Sequence, residues 1–258
     1  MGDISTRHPD LQAAFAENGR QHPQLEISSR SAVDVSLDLI RSEPDKSVTY
    51  IALGPLTDLS GMLKKDPALV KERLGRVVCM GGTLDVPGNA TPVAECQMSP
   101  PRPGRLAADI SPVNFFADPH AVHDVLTPAI PDQGFPQERF ILFPLDVTTP
   151  HEIPFPVYKA QVDPDFENTS FPSDPAKKPP LLHFTSAFLE RTREIALSFG
   201  KDALELHDPV AVWFAIENPP GKESAGQSPV LKHGWTTTRR QFQVERWVFL
   251  ISPHEHPE

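Results

Sequence analysis

The crowding of prolines into the middle of the chain restricts its fold more than any other feature of the sequence. Of the 30 prolines in 258 residues, 17 lie between Pro100 and Pro180. Because proline has no amide hydrogen, a stretch this rich in it cannot be mostly helix or central strand. Hydrophobic residues make up 39% of the chain, which favours a globular protein over a disordered one despite the prolines.

Charge, cysteine content and hydropathy exclude several classes of partner. The net charge is −10, and the basic residues form no run that resembles a nucleic-acid footprint, so we expect no nucleic-acid partner. No segment approaches the roughly 18 continuous apolar residues of a membrane span, so we expect no membrane partner. Two cysteines and no signal-peptide pattern after Met1 favour a reducing, cytoplasmic location, provided that Met1 is the true start.

Helix and strand patterns alternate through the first third of the chain. Residues 31–42 carry apolar side chains at helical spacing, with Ser31 as a plausible N-cap. Residues 47–53 are β-branched and apolar, which is typical of a buried strand. Similar patterns predict helices over residues 56–65 and 68–74 and a strand over residues 76–80. Strand, helix and strand in this order predict a right-handed βαβ unit in a parallel sheet.

The later patterns extend this alternation. They predict strands over residues 114–117, 139–145 and 241–245, helices over 119–126, 183–199 and 208–216, and mostly loops over 149–180. In the helix over 183–199, an apolar stripe is formed by Phe184, Phe188, Ile195 and Phe199, and Gly200 follows as a C-cap. The fold class is therefore α/β, an open, mostly parallel sheet flanked by helices. In such sheets ligands bind beyond the carboxyl ends of the strands.

Two polar groups of residues have both a structural and a functional interpretation. Asn89 and Glu95 place an amide and a carboxylate in an uncharged loop, where they could simply satisfy the backbone. The sequence HDP at residues 207–209 precedes an apolar helix, so Asp208 could cap that helix and Pro209 begin it. The functional alternative is that Asp208 binds a metal ion while His207 gives or takes a proton.

Six motifs in a fixed order carry a resemblance to a known family. They are IALGPLT at 51–57, VCMGG at 78–82, GNATPVAE at 88–95, NFFADP at 114–119, LDVT at 145–148 and HDP at 207–209. From about residue 4 to residue 246 the chain resembles the inosine-uridine-preferring nucleoside hydrolases, fungal members above all. The resemblance implies an open α/β sheet and hydrolysis of a nucleoside N-glycosidic bond to ribose and free base, a reaction of purine salvage.

The resemblance also implies roles for particular residues. The backbone carbonyl of Leu53 and the carboxylate of Asp208 would bind Ca²⁺, and His207 would donate a proton to the departing base. Met80 would line the pocket, and the ribose would be held by Asn89, Glu95 and Asn114. The partner implied is a small-molecule nucleoside, and because family members are often homo-oligomers, a homo-oligomer is one state to test.

The chain departs from the family pattern in three places. No D-x-D-x-G-x-D-D cluster is present, so the first βα unit, which carries the general base and most calcium ligands, is expected to be missing. Residues 97–113 form an atypical insert within a nucleoside hydrolase-like domain over 1–246, and 247–258 form an atypical tail. The insert is interpreted as a retained intron or a similar gene-model error, the alternative being a genuine surface loop, and the tail as a genuine segment or a frameshifted or alternative ending. The alternative function is a catalytically inactive, truncated relative, either a pseudoenzyme or an interaction module.

Overall fold

The computed structural model describes residues 28–86, 113–130, 133–167, 178–221, 229–232 and 234–240. The chain divides into two units, one of Ala32–His151 with Glu205–Glu258 and a smaller one of Met1–Ser31 with Glu152–Leu204. The predicted strand over 241–245, the tail over 247–258 and the insert, apart from its last residue, lie outside the described residues. No helix among the described residues is both long enough and apolar enough to cross a membrane.

The larger unit is built on a parallel sheet. Its three described strands lie in the order β1 (Val48–Ala52), β2 (Leu74–Met80) and β3 (Phe140–Phe143). Between β1 and β2 the chain forms α2 (Thr57–Lys65) and α3 (Pro67–Arg73), and α1 (Ala32–Arg41) precedes β1. This confirms the predicted α/β class and the strand, helix and strand order over residues 47–80.

The burial of the strands differs from the prediction for β1. All seven residues of β2 are buried, since it has a strand neighbour on each side. In β1 only Ala52 is buried, and Ile51 is 37% exposed. Within the described sheet β1 has only one neighbour, so its apolar sequence gives a strand but not the full burial that the pattern predicts.

The segment that contains the predicted strand over 114–117 is helical instead. Val113–Ala117 form α4, and α5 (Pro119–Leu126) follows with Asp118 as its N-cap, accepting from the Ala121 N–H at 2.9 Å. A run of four or five apolar residues does not distinguish strand from helix by its period. Tertiary packing decides it, because Phe115 is fully buried against Gly81.

The remaining helices of the larger unit are α6 (Leu145–Thr148) and α9 (His207–Glu217). One buried cluster lies between the sheet and helices α1 to α3 and α5; a second lies between β2, β3 and α9. In the second cluster the rings of Phe143, Phe214 and Trp235 pack with centroids 5.1–6.3 Å apart. The core therefore holds the ends of the strands against the start of α9.

The smaller unit contains more regular structure than the sequence predicts for residues 149–180. It comprises β4 (Glu152–Pro154), α7 (Phe155–Gln161), α8 (Pro180–Ser198) and β5 (Ala203–Glu205), with β4 paired to β5. The prolines do not prevent this, because Pro156 lies in the first turn of α7, where a missing N–H costs no helical hydrogen bond. Residues 168–177 lie outside the described part of the chain.

Helix α8 is present as predicted, but its apolar stripe does not face the core. Gly200, with φ of +77°, follows its end. Phe184, Phe188 and Phe199 are 60–83% exposed, whereas Ser186 and Leu189 are buried. The reason is that Ser186 joins a buried polar network: its hydroxyl contacts Tyr158 at 3.0 Å and the carboxylate of Asp163.

Candidate functional site

Three predicted site residues meet at the carboxyl ends of β1 and β2. Leu53 directly follows β1, and Met80 ends β2. The side-chain amide of Asn114, on α4, donates from Nδ2 to the carbonyl oxygen of Leu53 at 3.3 Å and to that of Met80 at 2.9 Å. Nδ2 also lies 3.4 Å from Met80 Sδ. The structure therefore brings Leu53, Met80 and Asn114 together where parallel sheets bind ligands.

The two carbonyl partners determine which way the Asn114 amide points. A carbonyl oxygen can only accept, so the nitrogen of the amide must face the strands. Among the described residues none donates to its Oδ1 atom, which is an acceptor. Leu53 is 37% exposed, whereas Met80 is buried, so the end of β1 is the more accessible of the two strand ends.

A second group of site residues lies at the start of α9. His207 is the first residue of this helix, and its ring contacts Thr148 Oγ1 through Nδ1 and Glu205 Oε2 through Nε2, both at 2.8 Å. Helix α9 packs against β1, β2 and α6 within the larger unit. The core contacts of α9 thus hold the helix that begins at His207 against the two strands whose ends contact Asn114.

The structural interpretation of Asp208 as a helix cap is wrong. The N-cap is Leu206, and Asp208 lies in the first turn, where a carboxylate is stabilised by the helix dipole. The side chain of Asp208 is exposed, yet partial desolvation of its carboxyl group raises the pKa above the ordinary value. The charge of the neighbouring His207 lowers this pKa but does not outweigh the desolvation. The structure therefore gives Asp208 no capping role in α9.

The loop after β2 is organised by a carboxylate whose role the motifs do not reveal. Asp146, in the LDVT motif, accepts the backbone N–H groups of Leu84 at 2.8 Å, Asp85 at 2.6 Å and Val86 at 3.2 Å. This loop leads toward Asn89 and Glu95, which lie outside the described residues. No sequence feature assigns a role to Asp146, Thr148 or Glu205. The LDVT motif contains Asp146 and Thr148 but does not say what they contact.

The described residues do not fit a calcium ion by themselves. Ca²⁺ takes six to eight oxygen ligands, whereas the predicted set supplies the Asp208 carboxylate and the Leu53 carbonyl, which already accepts from Asn114. Across the described ranges, no group of three or more His, Cys, Asp and Glu side chains is placed to hold a metal ion. Within the described residues the predicted calcium ligand set is therefore incomplete.

Comparisons with known proteins cover the part of the chain that contains these motifs. The family described as inosine-uridine preferring nucleoside hydrolase matches residues 6–247. An uncharacterized protein of Schizosaccharomyces pombe is 29% identical over 49% of this chain and 32% of its own length. The inosine-uridine preferring nucleoside hydrolase of Leishmania major is 34% identical over 40% of this chain and 26% of its own length.

Among solved structures, the purine-preferring ribonucleoside hydrolase of Gardnerella vaginalis is similar, with 21% identity and a TM-score of 0.49 over 76% of this chain and 50% of that one. The chain thus spans half or less of the length of these relatives. The family match, in contrast, extends over nearly all of this chain. The chain belongs to the family of inosine-uridine preferring nucleoside hydrolases.

Proposed function

We propose that this chain hydrolyses the N-glycosidic bond of a nucleoside to give ribose and the free base. The observation that carries the proposal is the family match over residues 6–247. The grouping of Leu53, Met80 and Asn114 at the carboxyl ends of parallel strands supports it, because that edge is where such sheets bind ligands.

Cleavage of the N-glycosidic bond requires groups around the sugar that stabilise a developing positive charge. When the bond between C1′ and the base nitrogen breaks, its electron pair leaves with the base, and the ribose develops oxocarbenium character. Water then adds to C1′ and loses a proton to the solvent, which balances the proton taken up by the departing base. The Asn114 Oδ1 atom would accept a ribose hydroxyl and turn its negative end toward the developing charge. Asn89 and Glu95 would complete the sugar site, and Met80 would line it.

Departure of the base requires a proton on its nitrogen. His207 is the proposed donor, since it begins α9, which packs against β1 and β2, and Asn114 donates to Leu53 and Met80 at the ends of those two strands. Donation by a positioned side chain contributes roughly 10²–10⁴-fold to a rate. Asp208, next to His207, is proposed to bind the substrate or a metal ion rather than to cap the helix.

Calcium dependence, a homo-oligomeric state and a cytoplasmic location belong to the proposal and are tested separately. Ribose release should stop on chelation and return with added Ca²⁺. Light scattering on a sizing column measures the oligomeric state. The further oxygen ligands that Ca²⁺ needs would come from groups outside the described residues or from water.

The decisive test is release of ribose and base from inosine or uridine by the purified 258-residue protein. We expect release by the parent chain, a strong loss in Asn114→Ala and Asp208→Asn, and no loss in the control Arg191→Gln, whose exposed side chain lies on α8. No release by the parent at high protein concentration would reject the proposal and favour the alternative of an inactive relative.

A further inference from the structure

His207 is held at both ring nitrogens by side chains to which the family motifs assign no role. Thr148 Oγ1 lies 2.8 Å from Nδ1, and Glu205 Oε2 lies 2.8 Å from Nε2. We infer that Thr148 and Glu205 are positioning residues of His207, which fix the orientation of its ring and keep a hydrogen on Nε2. The catalytic part of this inference rests on the proposed function, whereas the structural part does not.

The chemistry of the two partners determines the ring orientation. A carboxylate can only accept hydrogen bonds, so the nitrogen that faces Glu205 must carry a hydrogen whether or not the ring is charged. A hydroxyl can both donate and accept, so Thr148 can satisfy Nδ1 in either state. A ring flip would place carbon atoms against both partners and lose both hydrogen bonds.

Thr148 and Glu205 differ in burial, and therefore in how firmly each holds the ring of His207. Thr148 is fully buried, and its Oγ1 atom also lies 3.4 Å from the carbonyl oxygen of Pro144. The side chains of His207 and Glu205 are 22% and 30% exposed, so their contact is less screened by water than a surface pair. Thr148 therefore fixes the ring from inside the fold. Glu205 holds the Nε2 hydrogen at the partly exposed side, so the base must displace Glu205 before that hydrogen can pass to it.

Chain connectivity explains why these partners are available. Thr148 ends α6, and the backbone N–H of Leu206 donates to the carbonyl oxygen of His151 at 2.8 Å, which ties the residue before His207 to the segment that follows α6. Glu205 is two residues before His207. The two partners of His207 thus come from chain segments about 60 residues apart. A backbone hydrogen bond joins these segments close to the ring.

Nitrogen NMR of the histidine rings tests the structural part directly. In the full chain labelled with ¹⁵N-histidine, and with the signal assigned through His207→Gln, we expect a single His207 species with a hydrogen on Nε2. Thr148→Val, which keeps the shape but removes the hydroxyl, and Glu205→Ala should each produce averaging between the two tautomers. Thr148→Ser should restore the parent spectrum, and the control Glu217→Ala, at the other end of α9, should not change it.

Two NMR results would overturn the inference: a parent ring with its hydrogen on Nδ1 or averaged between the nitrogens, or parent-like spectra in both Thr148→Val and Glu205→Ala. Because this measurement needs no turnover, it decides the structural part even if the protein releases no ribose. Absence of turnover in the parent would count against the proposed function alone.

Steady-state kinetics test the catalytic part. Thr148→Val should lower kcat by at least about tenfold with little change in KM, and Thr148→Ser should recover most of the loss. In a His207→Ala background, Thr148→Val should cost nothing more, because the hydroxyl then has no ring to orient. A further loss of kcat in that background would show that Thr148 does not act through His207.

Discussion

Replacing Asn114 by aspartate tests the orientation that the structure assigns to its amide. In the parent chain Nδ2 donates to the carbonyl oxygens of Leu53 and Met80, at 3.3 and 2.9 Å. Aspartate has almost the same shape, but at neutral pH its carboxylate can only accept hydrogen bonds. Asn114→Asp therefore points a negative charge at two carbonyl oxygens with no hydrogen between them, and it should destabilise the larger unit more than Asn114→Ala does.

The expected magnitudes follow from the hydrogen bonds that are lost. Asn114→Ala removes two neutral hydrogen bonds, one of them long, and each contributes about 1 kcal/mol net, so the free energy of unfolding should fall by about 1–2 kcal/mol. Asn114→Asp removes the same two bonds and leaves a carboxylate without a donor, which adds about 1–3 kcal/mol. The total for Asn114→Asp is about 2–5 kcal/mol at pH 7.

The additional penalty of Asn114→Asp should disappear in acid. Two facing carbonyl oxygens raise the pKa of the introduced carboxyl in the folded chain above its unfolded value of about 3.9. A group with a raised folded pKa binds its proton more tightly when folded, so the variant gains stability relative to the parent as the pH falls toward 4. Asn114→Ala should show no such recovery.

Urea unfolding followed by tryptophan fluorescence measures these changes, because Trp213 and Trp235 lie in the larger unit and pack on one another. Parent, Asn114→Ala and Asn114→Asp are compared at pH 7 and at pH 4.5. The reasoning is refuted if Asn114→Asp is as stable as the parent at pH 7, or if it costs less than Asn114→Ala.

Three further predictions concern packing, acid stability and the loop after β2. Gly75→Ala would press a methyl group into the backbone carbonyl of Lys46, so urea unfolding should show a loss of about 1–3 kcal/mol; a neutral result contradicts that packing. Burial raises the pKa of Asp163, but hydrogen bonds from Lys178 and Ser186 outweigh it and hold that pKa below the ordinary value. The smaller unit should therefore lose stability only below about pH 4, measurable by circular dichroism, and a loss beginning near pH 6 would contradict this. Asp146→Ala should speed hydrogen exchange at Leu84–Val86 by about tenfold or more, and unchanged exchange would contradict its role.

Local sequence signals predict the elements of the larger unit well. The β-branched run over 47–53 and the apolar run over 76–80 each form a strand, and Pro119 begins a helix because its missing N–H is not needed there. These signals succeed because they depend on neighbours within a few residues. They fail at Val113–Ala117, where a short aromatic run suits either strand or helix, and its contacts with Gly81 and the strand ends decide the outcome.

In the candidate site, too, the sequence predicts some features and tertiary contacts decide the others. The motifs name Leu53, Met80, Asn114, His207 and Asp208, and the structure places the first three within hydrogen-bond contact. It also shows that Asp208 does not cap α9. Thr148 and Glu205 could not be assigned from the sequence, because a hydroxyl or carboxylate acquires a role only from the atom that lies opposite it.

The sequence by itself determined the α/β class, the strand, helix and strand order over residues 47–80, and the family. Periodicity and motif order are recorded in consecutive residues, so they can be read without a fold. Only the tertiary structure decided which nitrogen and oxygen of Asn114 face the strands, how His207 is held and which face of α8 is buried. Those features depend on contacts between residues 23 to 61 positions apart, whose distances are set by packing rather than by local preference.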